Sequence, residues 1–351
     1  KSAYRALIKF SQKDIDFICH FVEEKVEELG VHEIQIPEMH NIVEGALEKV
    51  NPIVAKSYRD YRNYKQDFVQ MLDEVYKKSQ SIMYIGDKEN SNTDSALVST
   101  KRSLIFNELN KELYKKFFLT VEELQAIREG YIYIHDMSAR RDTMNCCLFD
   151  VKSVLTGGFE MGNLWYNEPK TLDTAFDVIG DIVLSAASQQ YGGFTVPSVD
   201  EILEPYAKRS HENHLNKYRS LGLSEEVAQE IAWKDLEKEM EQGFQGWEYK
   251  FNSVSSSRGD YPFITMTSGT DISEYGKLVT KTMLEVRAGG QGKPGHKKPV
   301  LFPKIVFLYD ENLHGPGKPG EDLFEAGIEC SRKTMYPDWL SLYFFISNYL
   351  S

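Results

Sequence analysis

A cysteine, an asparagine and a histidine near the middle of the chain could support nucleophilic or radical chemistry. Cys146 directly follows Asn145, and His135 lies shortly upstream at the end of a short apolar run. An isolated cysteine is usually a small buried residue, but a thiol grouped with an amide and an imidazole is a better candidate for an active site. For His135-Asp136, the alternative is a turn capped by the aspartate, with a half-exposed histidine beside it. The residues alone leave both interpretations open.

Two glycine-containing segments could approach a ligand through their backbones. Gly192-Gly193 follows a run of small residues, where glycines permit either a close approach or a sharp turn. The second segment lies between a predicted strand and a predicted helix and consists of Ser268, Gly269, Thr270 and Asp271. Backbone amides and hydroxyls at the start of a helix suit an anion such as phosphate. A simple helix cap and turn is the alternative.

The cysteines and histidines show no spacing typical of a disulfide framework or a metal site. The four cysteines are Cys19, Cys146, Cys147 and Cys330. None belongs to a CxxC pair, and adjacent cysteines rarely bridge each other. We therefore expect no disulfide and no metal site among these residues, which is typical of proteins of a reducing cytosol.

Composition and charge are those of a globular protein and argue against several classes of partner. The 351 residues are 41% hydrophobic and 27% charged, and this length suffices for a large core or two to three domains. The net charge of −12, from 41 basic and 53 acidic residues, argues against duplex nucleic acid or an anionic membrane as the main partner. No apolar run approaches the roughly 20 residues that cross a bilayer, and residues 1–10 do not resemble a signal peptide. We expect a cytoplasmic protein.

The first 65 residues predict a small helical bundle. Apolar residues recur at helical spacing from Ile15 to Leu29, and Gly30 is a typical helix end. A second helix is predicted from Ile36, with Pro37 in its first turn. A third predicted helix covers 54–62, the helical pattern continues over 66–80, and a polar stretch follows at 88–95. We therefore predict a domain boundary between about 65 and 85.

Beyond residue 130, short strands alternate with helices, which indicates an α/β arrangement with parallel strand pairing. Strands are predicted at 131–135, 145–150, 262–266 and 303–308. Helices are predicted at 104–118, 171–190, 224–243 and 278–285. Thr120 and Glu123 have the spacing of a capping box that begins a further helix.

Several ordered segments together resemble the anaerobic (class III) ribonucleoside-triphosphate reductases, which are glycyl-radical enzymes. They are IHD (134–136), MNCCLFD (144–150), GFEMGN (158–163), QYGG (190–193), DEIL (200–203), PFIT (262–265), KPVLFPK (298–304), ECSRK (329–333) and YPD (336–338). Their order along the chain is far more specific than any single match. Residues 1–65 resemble the C-terminal part of an ATP-cone, the nucleotide-sensing module of ribonucleotide reductases, through their helix pattern and residues 54–62.

The resemblance implies a ten-stranded α/β barrel of two five-stranded halves, preceded by a small α-helical ATP-cone remnant. The corresponding domains are the C-terminal part of the cone at 1–65, a linker at 66–85 and the reductase barrel at 86–351. The family's thiyl cysteine, structural zinc site and glycyl radical are expected in a C-terminal segment that these residues do not include. The barrel within this sequence is therefore expected to be incomplete.

The implied activity is the anaerobic reduction of ribonucleoside triphosphates to their 2′-deoxy forms, with formate as the reductant. Cys146 matches the family's second active-site cysteine, which supplies hydrogen as the 2′-hydroxyl leaves. Asn145 and His135 match polar neighbours of that site. Substrate binding is expected at the two glycine-containing segments, that is at Gly192, Gly193, Ser268, Gly269, Thr270 and Asp271.

The implied partners are small molecules and other protein subunits. They are ribonucleoside triphosphates, formate, ATP and dATP with other deoxynucleotides as effectors, a radical-SAM activating enzyme, and further copies of the chain in a homodimer or larger assembly. No nucleic-acid or membrane partner is expected. The alternatives are a nucleotide-binding regulatory or inactive fragment of such a reductase, and a glycyl-radical enzyme of the pyruvate formate-lyase type. The pair Cys146-Cys147 is compatible with the last class, but the flanking segments match the reductases.

Overall fold

The computed structural model describes residues 1–84, 94, 96–140, 143–256 and 259–342. The chain divides into two compact units, Lys1–Ser81 and Ile82–Ser351, so the division falls within one long helix. Within the described residues, no helix combines the length and the apolar character needed to cross a membrane.

The first unit is helical. Its helices are α1 (Ser2–Arg5), α2 (Gln12–Leu29), α3 (Ile36–Val50) and α4 (Pro52–Tyr84). Gly30 ends α2 in the left-handed conformation and Pro37 lies in the first turn of α3, which confirms both predictions. The separate helical patterns predicted at 54–62 and 66–80 form one continuous helix, α4. Leu47, Val54 and Ala55 form the centre of a small core between α3 and α4.

The second unit contains seven strands and nine further helices among the described residues. The helices are α5 (Val98–Phe118), α6 (Val121–Arg128), α7 (Val151–Leu155), α8 (Leu172–Ala187), α9 (Val199–Ser220), α10 (Glu225–Ser253), α11 (Glu274–Gly289), α12 (Glu311–His314) and α13 (Glu321–Thr334). The strands are β1 (Cys147–Leu148), β2 (Phe159–Met161), β3 (Leu164–Tyr166), β4 (Phe194–Val196), β5 (Ile264–Ser268), β6 (Lys304–Tyr309) and β7 (Asp338–Ser341). The capping box predicted for Thr120 and Glu123 is present at the start of α6.

Five strands form one parallel sheet in the order β1-β4-β5-β6-β7, while β2 and β3 form a separate hairpin. The main strands follow one another in chain order across the sheet. Crossover connections between parallel strands are almost always right-handed, so this order places the connecting helices on the same face. One face of the sheet is therefore packed against helices. On the opposite face, here called the open face, the described side chains are only partly buried or exposed.

Strand alternation separates the two faces. Phe194 of β4, Ile264 and Met266 of β5, and Ile305 and Phe307 of β6 are buried in the main core with residues of α8 to α11. The residues between them are only partly buried, because successive side chains of a strand point to opposite sides. One row of register partners on the open face consists of Leu148, Thr195, Thr265 and Lys304.

The strand predicted at 131–135 is wrong. These residues form an irregular segment after α6, and Tyr131 and Tyr133 are 79% and 84% exposed. The Tyr131 amide bonds back to the Ala126 carbonyl at the helix end, rather than to a neighbouring strand. Aromatic and β-branched residues favour strands only where a partner strand and a packing surface are available, and this segment has neither among the described residues.

Candidate active site

The Cys146 thiol lies directly before β1 and contacts the start of β4. The Gly193 amide donates a hydrogen bond to Cys146 Sγ at 3.2 Å, and the thiol lies 3.8 Å from Asn145 Oδ1. The Cys147 amide donates to the Gly193 carbonyl at 3.0 Å, so the pairing of β1 with β4 positions the thiol. Cys146 is exposed and therefore accessible to a ligand on the open face.

Cys147 has the opposite orientation. Its thiol donates to Gln190 Oε1 at 2.9 Å on the half-buried, helix-covered side. Burial raises the pKa of the Cys147 thiol, and the neighbouring Cys146 adds to that rise. Because the Cys147 thiol contacts Gln190 on the helix-covered side, only the exposed Cys146 of the two adjacent cysteines is placed for chemistry on the open face.

The close backbone approach that glycine permits is observed at Gly192. Its amide donates to the Asn145 carbonyl at 2.6 Å. A Cβ atom at Gly192 would lie 2.7 Å from both Cys146 Sγ and that carbonyl oxygen, which is closer than real Cβ atoms approach. The glycine pair and Asn145-Cys146 thus form one compact cluster, and no larger residue fits at position 192.

A cavity of about 70 Å³ lies beside this cluster. It is lined by Leu184, Ala187, Ser188, Tyr191, Gly192, 254–256 and 260–263. The Phe263 ring joins the cavity to the cluster, because its Cδ1 atom lies 3.6 Å from an ideal Cβ position on Gly193. The cavity supplies aromatic walls and hydroxyl groups beside Gly192, while Cys146 itself does not line it.

His135 makes local contacts only, among the described residues. Its Nε2 atom lies 3.0 Å from Asp136 Oδ2, and its side chain is 74% exposed. Asp136 has a φ of 52° and directly precedes a short 3-10 helix, Met137–Ala139, so a turn is present, but the Asp136 side chain makes no capping hydrogen bond. This turn reaches the glycine segment through Ser138, whose hydroxyl lies 3.5 Å from the Tyr191 hydroxyl. The structure brings the His135 segment near the cluster without a contact between the imidazole and the thiol.

The second predicted binding segment lies at the other end of the sheet. Gly269, Thr270 and Asp271 follow the carboxyl end of β5, whereas Cys146 and Gly193 lie before the amino ends of β1 and β4. At about 3.3 Å per residue, the length of β5 separates the two groups by roughly 15 Å. The structure therefore does not unite the two groups of predicted residues into one cluster.

The backbone amides predicted to bind phosphate already have an acceptor. The amides of Gly269 and Asp271 both donate to Asp200 Oδ2 at 2.9 Å, and the Gly269 carbonyl lies 2.7 Å from His314 Nε2. The Ser268 hydroxyl is buried and bonds to Thr280. The prediction of amides at a helix start needs correction, because helix α11 begins only at Glu274, with Ser273 as its cap.

The loop after β5 also contacts the start of α9 through Thr270 and Asp271. The Thr270 hydroxyl lies 3.3 Å from Glu201 Oε1. Asp200 is fully buried, and its Oδ1 atom has no hydrogen-bond partner within the part of the chain that the structure describes. Burial raises the pKa of the Asp200 carboxyl, while the two amides act in the opposite direction. A phosphate could reach these amides only by displacing the Asp200 carboxylate.

Sequence reasoning missed the acceptor role of Asp200 and the position of Lys304. Asp200 precedes the loop by about 70 residues, so no local pattern connects them. Lys304 occupies an otherwise apolar strand, and a cation at such a position could have indicated a functional face. No group of three or more potential metal ligands is found among the described residues.

The fold and the site together define an α/β protein that presents a cysteine at the edge of a parallel sheet. The family model of the anaerobic ribonucleoside-triphosphate reductases matches residues 89–350, and that of the ATP cone domain matches residues 1–67. The chain belongs to the anaerobic ribonucleoside-triphosphate reductase family.

Curated relatives agree with this assignment. The anaerobic ribonucleoside-triphosphate reductase of Haemophilus influenzae is 32% identical over 338 residues, covering 93% of this chain and 47% of the relative. That of Enterobacteria phage T4 is 34% identical over 257 residues, covering 72% and 42%. The chain thus spans about half the length of the curated relatives it matches.

Solved structures show the same fold. The anaerobic ribonucleotide reductase from Thermotoga maritima, crystallised with glycerol in the active site, superimposes with a TM-score of 0.54. The alignment covers 81% of this chain and 50% of that chain at 16% identity. At this identity the likeness concerns the fold alone.

Proposed function

We propose that this chain is the part of an anaerobic ribonucleoside-triphosphate reductase that carries the Cys146 side of the active site. The reaction converts ribonucleoside triphosphates to 2′-deoxyribonucleoside triphosphates, with formate as the reductant. The observation that carries the proposal is the exposed Cys146 thiol, held by the Gly193 amide beside Asn145 in a chain of this family.

The proposed domains are the C-terminal part of an ATP-cone at 1–65, a linker at 66–85 and the reductase barrel at 86–351. The sheet β1-β4-β5-β6-β7 is proposed to be one half of a ten-stranded barrel. Parallel sheets are normally covered on both faces. A second half facing the open face would cover Leu148, which is 78% exposed.

The Cys146 thiol is proposed to donate hydrogen to the substrate as the 2′-hydroxyl leaves as water. The Gly193 N–H holds the sulfur in place, and the Asn145 side-chain amide can bind a substrate hydroxyl in the same cluster. His135 is proposed as a further polar group, brought near by the turn that contains Ser138. When present, the family's glycyl radical would supply the radical to the family's thiyl cysteine, which would abstract the 3′ hydrogen of the ribose. The residues of this chain position the substrate.

Substrate binding is proposed beside the glycine pair Gly192-Gly193, where the adjoining cavity offers aromatic and hydroxyl-bearing walls. For the segment from Ser268 to Asp271, phosphate binding requires that the Asp200 carboxylate move away from the amides of Gly269 and Asp271. The glycine pair is the better-supported of the two binding segments, because it lies at the Cys146 thiol.

Control by nucleotides is proposed to act through the first unit, which matches the ATP cone model. ATP and dATP are the proposed opposed effectors, since two ligands shift one equilibrium in opposite directions when each prefers a different state. The proposed partners also include deoxynucleotide effectors and a radical-SAM activating enzyme. The proposed assembly is a homodimer or a larger homo-oligomer.

Substitution of Cys146 tests the proposed function. In the activated enzyme containing this chain and all its remaining segments, Cys146→Ser should abolish deoxynucleotide formation, because a hydroxyl cannot replace the thiol as hydrogen donor. Cys147→Ser is the matched control and should retain activity, since this side chain faces the packed side. A folded Cys146→Ser enzyme that forms deoxynucleotides at the parent rate would disprove the proposed role.

A further inference from the structure

Lys304 places a cation on the open face of the sheet. It is the first residue of β6. Ile305 and Phe307, whose side chains lie on the other face of this strand, are buried in the core. Because side chains alternate along a strand, the Lys304 side chain lies on the opposite side from Ile305. It is partly buried there, with Thr265 as its register partner on the neighbouring strand.

Cys146 belongs to the same face. Leu148 lies in the register row that continues through Thr195 and Thr265 to Lys304. Cys146 precedes Leu148 by two residues and therefore shares its side, whereas the Cys147 thiol contacts Gln190 on the other side. The thiol and the ammonium group thus face the same space in front of the sheet.

Phe263 connects the two groups. The Lys304 ammonium lies 4.6 Å from the centroid of the Phe263 ring. The same ring approaches Gly193, whose amide holds the Cys146 thiol, and it lines the adjoining cavity. An aromatic ring attracts a cation through its quadrupole but carries no net charge, so this contact does not neutralise the ammonium group.

The Lys304 ammonium has no carboxylate partner in the described part of the chain, unlike several other partly buried lysines. Lys277 and Lys281 both pair with Asp322, at 2.9 and 2.7 Å. A partly buried cation without a counter-charge is unfavourable unless something else supplies the anion. In this protein of net charge −12, an unpaired cation on the same face of the sheet as the Cys146 thiol favours an anionic ligand.

We propose that Lys304 binds an anionic oxygen of a molecule that reacts at Cys146. The inference rests on the proposed reductase function, which supplies two sources of such an oxygen. One is the triphosphate of the nucleotide and the other is the carboxylate of formate. Lys304 is a positioning residue that determines where the anion lies relative to the Cys146 thiol.

The test compares Lys304→Met, Lys304→Arg and the control Lys298→Met in the activated enzyme with all its segments. Lys298 is an exposed lysine of the loop before β6, outside the proposed site. KM and kcat are measured separately for the nucleotide and for formate, each at saturation of the other. Binding of CTP is measured by calorimetry without turnover, and thermal unfolding monitors folding.

Lys304→Met is expected to raise one KM about tenfold or more, the usual effect of losing a hydrogen bond to a charged group. A raised nucleotide KM with weaker CTP binding identifies the triphosphate, and a raised formate KM alone identifies the carboxylate. Lys304→Arg should restore most of the loss, and Lys298→Met should match the parent.

The inference is wrong if Lys304→Met leaves both KM values and the CTP dissociation constant within about twofold of the parent. It is also wrong if Lys304→Arg is as impaired as Lys304→Met, because the role would then not depend on the charge. An active parent with a kinetically unchanged Lys304→Met variant refutes only this inference. A parent unable to form deoxynucleotides refutes the proposed function, while CTP binding still tests the role of Lys304.

Discussion

The backbone amide of Gly193 donates a hydrogen bond to the sulfur of Cys146 at 3.2 Å, across the pairing of the first two strands of the parallel sheet. This contact joins residues 47 positions apart and places the thiol on the open face. It also makes the adjacent Gly192 intolerant of a side chain, because the Asn145 and Cys146 atoms fill the space where a Cβ would lie.

Gly192→Ala should therefore impair both the site and the fold around it. The added methyl group would lie 2.7 Å from Cys146 Sγ and from the Asn145 carbonyl oxygen. Overpacking of this kind costs about 1–3 kcal/mol, and the displaced thiol should lose most of its activity. Gly246→Ala in α10 is the control, because its Cβ would meet no atom within 4 Å. Denaturant unfolding and steady-state assays measure both effects, and equal behaviour of the two variants would contradict the account.

Asp200 should make stability depend on pH. Burial raises its folded pKa above the unfolded value, so the ionised carboxylate costs stability. This cost is complete above the folded pKa and disappears as the pH falls through it toward the unfolded value. The parent should therefore gain unfolding free energy relative to Asp200→Asn as the pH falls from about 7 to about 4. Chemical unfolding of both proteins across this range is the measurement, and parallel pH profiles would show that Asp200 titrates normally.

The ion pair between Arg287 and Glu248 should be sensitive to removal of one partner. Their side chains are 0% and 5% exposed, and Arg287 Nε lies 2.7 Å from Glu248 Oε1. Arg287→Ala leaves Glu248 buried without its cation, which typically costs about 3–5 kcal/mol. The matched control is Arg332→Ala, which removes an exposed pair with Glu329 and should cost no more than about 1 kcal/mol.

Unfolding free energies from denaturant titration compare these variants. The double variant Arg287→Met with Glu248→Leu should be less destabilised than Arg287→Ala, because no charge is then left buried. If Arg287→Ala lowered the unfolding free energy no more than Arg332→Ala, the buried ion pair would not make the expected contribution to stability.

Removal of residues 1–65, together with any cone residues that precede them, should leave the reductase active but insensitive to dATP. The expected reason is that the effector then has no domain through which to bias the equilibrium. Activity is measured against dATP concentration for the parent and the truncated enzyme. The cut falls inside α4, so thermal unfolding must show that the remaining domain is folded. If dATP inhibited the truncated enzyme as strongly as the parent, residues 1–65 would not have the proposed regulatory role.

Local features of this protein could be read from sequence because they depend on neighbouring residues. Gly30 ends α2, Thr120 and Glu123 begin α6, and the apolar runs near 264 and 305 form strands. Each depends on backbone conformation or side-chain chemistry within a few residues. The candidate residues Asn145, Cys146, Gly192 and Gly193 also stand out by type, and their ordered motifs indicated the family.

Tertiary structure decided the relationships between distant segments. The amides of Gly269 and Asp271 both donate to Asp200. The loop that was predicted to bind an anion therefore already has its hydrogen-bond acceptor within the protein. The register of the sheet, rather than any local pattern, places Lys304 on the same face as Cys146. The segment 131–135 has strand-forming residues but no strand to pair with. Hydrogen bonds and charges find partners across the whole chain, and only the packed structure determines which partners are within reach.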